Sequence, residues 1–170
     1  ILGEGGMGRV YAGIQTCLNR DVALKVSKHK GADPRLRAQV SHEAQVTAML
    51  DHPNILPIYL LAVDERDQPV QVMKKISGVS WHELIYEPEH EMWSKLEVES
   101  QEEFHLDVLS QVCLAMGYAH QKGVIHRDLK PENIMLIDRY GERDQVRVVD
   151  FGVARFAEAS EDMTALTSVG

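Results

Sequence analysis

Cysteine is nearly absent from this 170-residue chain: two occur, Cys17 and Cys113, far apart and without a C-x-x-C pair. That argues against a disulfide framework or a thiolate zinc site and fits a reducing compartment, so a cytoplasmic location is expected. Basic residues are also short, 18 against 26 acidic ones, for a net charge of −8. Such a balance lacks an electrostatic hold on nucleic acid or an anionic membrane and leaves room only for a local basic groove. No apolar run approaches the roughly eighteen residues that cross a bilayer. No signal peptide opens the chain, and even an initial Met is missing. The sequence reads as a piece of something longer, and anchoring to a membrane from outside it stays open. No internal repeat points to a solenoid. What is present is 44% hydrophobic residues, enough for one sizeable core or two small lobes.

The first third is strand-like. Residues 10–14 and 22–26 are short β-prone runs separated by the turn-like Leu18-Asn19-Arg20-Asp21, which predicts an antiparallel hairpin. Pro34 suits the first turn of a helix that Leu36, Val40, Ala44, Thr47 and Leu50 carry to about residue 50, where His52-Pro53-Asn54 stops it. Strand candidates follow at 55–63 and 70–73, then Gly78 interrupts before a short helix near 81–85. From 87 to 100 the chain turns acidic, loses periodicity and reads as an inserted surface loop. Ser100 and Glu103 have capping-box spacing, and Phe104, Val108, Val112, Ala115, Met116 and Ala119 recur at helical intervals up to Gly123. Residues 134–137 and 146–149 are strand-like, joined through Tyr140-Gly141, and a polar tail follows.

The string Gly3-Glu4-Gly5-Gly6-Met7-Gly8-Arg9-Val10 has the pattern G-x-G-x-x-G-x-V, in which missing side chains let backbone amides approach phosphate oxygens. A plain glycine turn also fits it, and a dinucleotide-binding fold would need a helix directly after the third glycine. A strand follows instead, which favours a β-hairpin closing over a nucleoside triphosphate. Strand alternation puts Lys25 on the face of Ala23 and away from Val22, Leu24 and Val26. Glu43 falls a heptad after Leu36 and a heptad before Leu50, inside the apolar stripe of its helix. A carboxylate there is costly unless paired, and an inward lysine from the neighbouring strand is its natural partner. The plainer alternative is a partly exposed glutamate at a ragged helix edge. His126-Arg127-Asp128-Leu129-Lys130-Pro131-Glu132-Asn133 lies between the helix end at Gly123 and the strand from Ile134, in a loop held by rigid elements, where catalytic groups commonly sit. Asp150-Phe151-Gly152 follows Asn133 directly after an apolar strand. Glycine string, lysine strand, H-R-D-L-K-x-x-N and D-F-G stand here in one order.

Over nearly its whole length the chain resembles the eukaryotic-type (Hanks-type) serine/threonine protein kinases, and Gly5-Gly6-Met7-Gly8 resembles the wording of bacterial members. The resemblance implies an α+β, bilobal fold. Residues 1–76 would form an antiparallel β-sheet lobe with one helix, and 77–170 an incomplete, mainly helical second lobe. It implies ATP and magnesium as cofactors and transfer of the γ-phosphoryl group to Ser or Thr hydroxyls of protein substrates, the enzyme itself included. By the same resemblance Leu2, Val10 and Ala23 wall the adenine and Met135 closes it from below. Met73 would be the gatekeeper, with the Lys74 carbonyl and the Ile76 backbone bonding the base. Gly3, Glu4, Gly5, Gly6, Met7 and Gly8 would cover the phosphates. Lys25, braced by Glu43, would hold the α- and β-phosphates; Asp128 would accept the substrate hydroxyl proton, Lys130 would neutralise the transferring group, and Asn133 and Asp150 would ligate magnesium. His126 is expected to be structural, packed beneath Asp150 with Phe151 against it.

Several departures from that pattern stand out. The spacing from Met73 to Asp128 is long, with the excess at 87–100; the 140–145 hairpin is slightly extended; and Thr47 stands where a larger apolar residue is usual. The chain stops at Gly170, before an Ala-Pro-Glu anchor, so the isolated fragment is expected to be inactive. An active kinase and a non-catalytic nucleotide-binding or scaffold module both stay open, as does an activating dimer of the full-length protein. Lys130 and the Val-Ala-x-Lys wording speak against a small-molecule phosphotransferase. Arg127 and Arg155 lack a local carboxylate partner, and a phosphate on Thr167, Thr164 or Ser168 would satisfy both. Leu106, Leu109 and Leu114 lie outside the stripe of their helix and predict neighbours on more than one side.

Overall fold

The computed structural model describes residues 1–4, 8–27, 34–65, 67–96, 98, 100–137, 145–151 and 155–156. The two β-prone runs at the start build the expected hairpin: β2 (Gly8–Gln15) and β3 (Arg20–Ser27) pair antiparallel from Gly8↔Ser27 to Gln15↔Arg20. A 3-10 turn at Thr16–Leu18 connects them and ends on Asn19, whose φ of 45° is a left-handed conformation that asparagine tolerates. With β1 (Gly3–Glu4), β4 (Ile58–Val63) and β5 (Pro69–Lys74) they form an antiparallel sheet in the order β1-β2-β3-β5-β4. Helix α1 (Pro34–Ala48) packs on β4 and β5, and Ala44 and Thr47 are buried, while Val46 joins the main core described below.

The second half is built from β6 (Gly78–Ser80), α2 (Trp81–Tyr86), α3 (Gln101–Gln121), β7 (Val124–Ile125), β8 (Ile134–Ile137), β9 (Gln145–Val148) and β10 (Arg155–Phe156). Strands β6, β8 and β9 make one small sheet and β7 with β10 another. The main core lies where the apolar stripe of α3, from Val108 to Ala119, meets the inward residues of β8 and β9 and Leu84 of α2. The Ser100 hydroxyl accepts the Glu103 amide at 3.3 Å to start α3, and Gly123, at φ 74°, turns the chain after it. The reciprocal capping box is found at Ser80 and Glu83, which open α2.

Three sequence expectations change in detail. The strand expected from residue 55 begins at Ile58, because 54–56 bonds to β9 instead: Val148 donates to the Asn54 carbonyl at 2.7 Å and Leu56 to the Val148 carbonyl at 3.0 Å. Gly78 opens strand β6 as well as interrupting the chain. The segment read as a surface loop at 87–100 contains a 3-10 turn at Glu91–Ser94 that buries Met92 in the main core. There Trp93 stands edge-on to Phe104 and His105, and the Trp81 indole donates to His105 Nδ1 at 2.9 Å. Apolar anchoring had no periodic signature here because a single 3-10 turn is too short to show one. The extension expected at 140–144 lies outside the described residues.

Candidate active site

A cleft of about 840 Å³ lies between the five-stranded sheet and the β8–β9 hairpin. Lys25 reaches into it from β3. Its ammonium donates to Glu43 Oε1 at 2.8 Å and to Asp150 Oδ1 at 2.9 Å, so one cation is shared by a carboxylate from α1 and a carboxylate two residues past the end of β9. Glu43 is only 6% exposed, as its place in the helix stripe requires. Burial works against the Lys25 charge, but the attraction of Glu43 and Asp150 outweighs it and holds the ammonium above its ordinary value. Burial raises Glu43, Lys25 offsets part of that rise, and the nearby Asp150 charge adds to it.

The opposite wall comes from the loop after β7. Asp128 Oδ2 lies 3.0 Å from the Lys130 ammonium, and the Asn133 amide donates to the Asp128 carbonyl at 2.8 Å and to Oδ2 at 3.2 Å. The hydrogen bond from Lys130 is the main reason the Asp128 carboxyl sits below the ordinary aspartate range. The 3-10 turn Pro131–Asn133 passes straight into β8, and Val149 donates to the Asn133 carbonyl at 2.9 Å, so the loop is tied to the strand that carries Asp150.

His126 joins these parts from below. Its Nδ1 accepts the Asp128 amide at 3.3 Å, and Nε2 donates to the Val149 carbonyl at 3.3 Å. An amide can only donate and a carbonyl only accept, so the ring is neutral and carries its proton on Nε2. Burial lowers its pKa to match. Phe151 packs on the ring with centroids 4.5 Å apart. Arg127 and Asp150 both adopt left-handed backbone, at φ 67° and 63°, which turns Asp128 and the Asp150 carboxylate toward one space.

The chain matches the family described as protein kinase domain over residues 1–169. It belongs to that family. The kinase domain is 36% identical over 171 residues to the serine/threonine-protein kinase pkn3 of Myxococcus xanthus, covering 100% of this chain and 30% of that protein. It is 37% identical over 164 residues to PknD of Chlamydia muridarum, covering 95% of the chain and 17% of the relative. With PknB of Mycobacterium tuberculosis the identity is 35% over 174 residues, 99% of the chain and 26% of the relative. The chain thus spans less than a third of the length of these curated relatives. Members of the family in general work with ATP and a divalent metal ion.

Within the kinase domain the sequence-expected positions meet in one place. Leu2, Gly3, Glu4, Gly8 and Val10 line the cleft from β1, β2 and their flanks, and Ala23 and Lys25 from β3. Met73, Lys74 and Ile76 line it from β5 and the segment beyond, and Met135 from β8. Asp128, Lys130, Asn133 and Asp150 close the set. Gly5, Gly6 and Met7, and the candidate phosphosites Thr164, Thr167 and Ser168, lie outside the described residues. Two features escaped the sequence reading. One is the second carboxylate on Lys25, from a residue 125 positions away. The other is Gln71, 1% exposed and on the cleft wall, whose signal was a lone polar residue inside the apolar run of β5.

Proposed function

We propose that this chain is the nucleotide-binding and catalytic portion of a protein serine/threonine kinase, with residues 1–76 and 77–170 as its two lobes. The observation that carries the reading is the Lys25 ammonium held at 2.8 Å and 2.9 Å between Glu43 and Asp150, facing the Asp128–Lys130–Asn133 cluster across one cleft. Transfer of a phosphoryl group spreads negative charge over three oxygens and asks little covalent chemistry of the protein, so fixed cations and positioning supply most of the rate. Lys25 binds the α- and β-phosphates, and Glu43 keeps it from turning away. Lys130 meets the charge on the transferring group. Asp128 orients the incoming hydroxyl and takes its proton; a carboxylate held low by Lys130 is a weak base, which suffices when the transition state is loose.

The metal-binding assignment is to Asn133 and Asp150, which suit magnesium in chemistry. Both offer hard oxygen donors, and the Asn133 nitrogen is already engaged by Asp128, leaving its oxygen for a cation. Among the described residues no cluster of three or more His, Cys, Asp or Glu could hold a metal alone. That agrees with magnesium, which is usually held by one or two carboxylates together with substrate phosphates. When bound, the ion would neutralise charge on those phosphates. The adenine assignment is to Leu2, Val10, Ala23 and Met135, with Met73 as gatekeeper and Lys74 and Ile76 at the base edge.

Asp128→Asn in the full-length protein should abolish phosphotransfer while ATP affinity stays near wild type, because Asp128 acts on the acceptor hydroxyl. Turnover at the wild-type rate would sink the assignment and favour the non-catalytic reading. Lys25→Met should lose activity as well, and Glu43→Gln should lose less. Mass spectrometry of the wild-type full-length protein after autophosphorylation reads whether Thr167, Thr164 or Ser168 takes the phosphate that Arg127 and Arg155 would receive. An activating dimer, and a cytoplasmic place for this portion, belong to the same proposal; no helix of the described residues is long and apolar enough to cross a membrane.

A further inference from the structure

Gln71 is the most deeply buried polar side chain on the cleft wall, and none of the roles above uses it. In the β3–β5 register it stands directly opposite Lys25, so the two side chains leave the sheet on the same face, toward α1. Its amide nitrogen donates to the Val40 carbonyl at 3.2 Å. Val40 and Glu43 are one helical turn apart on the face of α1 turned to the sheet. Thr47, the next buried polar residue along α1, cannot serve in this way: its hydroxyl is spent on the Glu43 carbonyl at 2.9 Å, inside the helix.

We propose that Gln71 is a positioning residue for phosphoryl transfer, whose carboxamide ties α1 to β5 at the Val40 carbonyl, one helical turn before Glu43, and so holds Glu43 against Lys25. This rests on the reading of Lys25 as the phosphate-binding cation. The need for such a tie follows from the sharing of Lys25. With one ammonium serving two carboxylates, Glu43 keeps its share only while α1 is held close, and a bond from the fixed sheet to the helix backbone holds it. A neutral donor does so without competing for Lys25. A buried hydrogen bond is also directional, so α1 is held in rotation as well as in distance.

The test uses the full-length protein with ATP and casein as the acceptor. Gln71→Leu removes the donor at similar volume and should lower kcat about fivefold, the scale of one buried hydrogen bond, with the KM for casein unchanged. In a Glu43→Gln background the same change should cost less than about twofold, since the carboxylate that the tie positions is gone. Gln71→Glu keeps the shape but turns an acceptor toward the Val40 carbonyl, and should lose more than Gln71→Leu. Where Gln71→Leu does not fold, Gln71→Met carries the measurement. Wild-type kcat in the apolar variants, or an equal loss with and without Glu43, would overturn the proposal. So would unfolding of all three variants, which would make Gln71 a core residue and nothing more. Activity lost in Asp128→Asn but kept in Gln71→Leu sinks only this proposal; activity kept in Asp128→Asn sinks the kinase reading beneath it.

Discussion

Lys25 and Glu43 show how far a single residue can be read from its neighbours. The helix stripe placed Glu43 inside and strand alternation placed Lys25 inward, and a buried carboxylate without a cation is costly enough that the pair follows from these two facts. The bond from Lys25 to Asp150 could not be read this way, since no local period relates residues 125 apart. His126 makes a prediction at the same scale. Burial lowers its pKa from the ordinary 6.5, and burial lowers His52 and His105 as well. The unfolded chain therefore takes up protons near pH 6.5 that the folded chain resists. Stability present above that value is lost as the pH falls below it. Glu43, raised by burial, works in the opposite sense. The urea midpoint of the full-length protein should fall between about pH 7.5 and about pH 5.5; a midpoint that rises across that window would show that the histidines do not dominate.

At the scale of elements, hydrophobic period and stop signals located β2, β3, α1, α3 and β8 closely, because each is long or sharply bounded. The two-residue pair β7 and β10 left no such trace, yet its register sets Arg155 opposite Ile125, two residues before Arg127. Strand β6 was also hidden, and its pairing with β8 depends on one glycine. A Cβ at Gly78 would lie 1.9 Å from the Leu136 carbonyl oxygen, a backbone atom that cannot give way. Gly78→Ala should separate β6 from β8, displace the segment after Met73 that lines the cleft, and lower both thermal stability and ATP affinity. Calorimetry and nucleotide titration of this variant read the two effects; wild-type values in both would mean the backbone relaxes without cost.

For the whole molecule, the exposed face of α3 sets the expectation. Leu106, Leu109 and Leu114 stand 65%, 46% and 63% exposed, opposite the stripe that fills the core. Residues 1–170 expressed alone should bind an apolar dye and unfold over a broad range, and a sharp cooperative transition from a monomer would show otherwise. The sequence by itself determined the family, the order of the elements and the residue types of the site, because the motifs are contiguous strings and the helix and strand periods are local. It also carried the Lys25–Glu43 pairing, through the cost of a buried charge. Only the tertiary structure decided that Lys25 is shared with Asp150, that Met92 and Trp93 of the acidic segment are packed inward, and that Gln71 spans from sheet to helix. Each of these is a meeting of side chains from segments far apart in sequence, set by the register of one strand against another and the rotation of a helix on a sheet, and neither leaves a period or spacing along the chain.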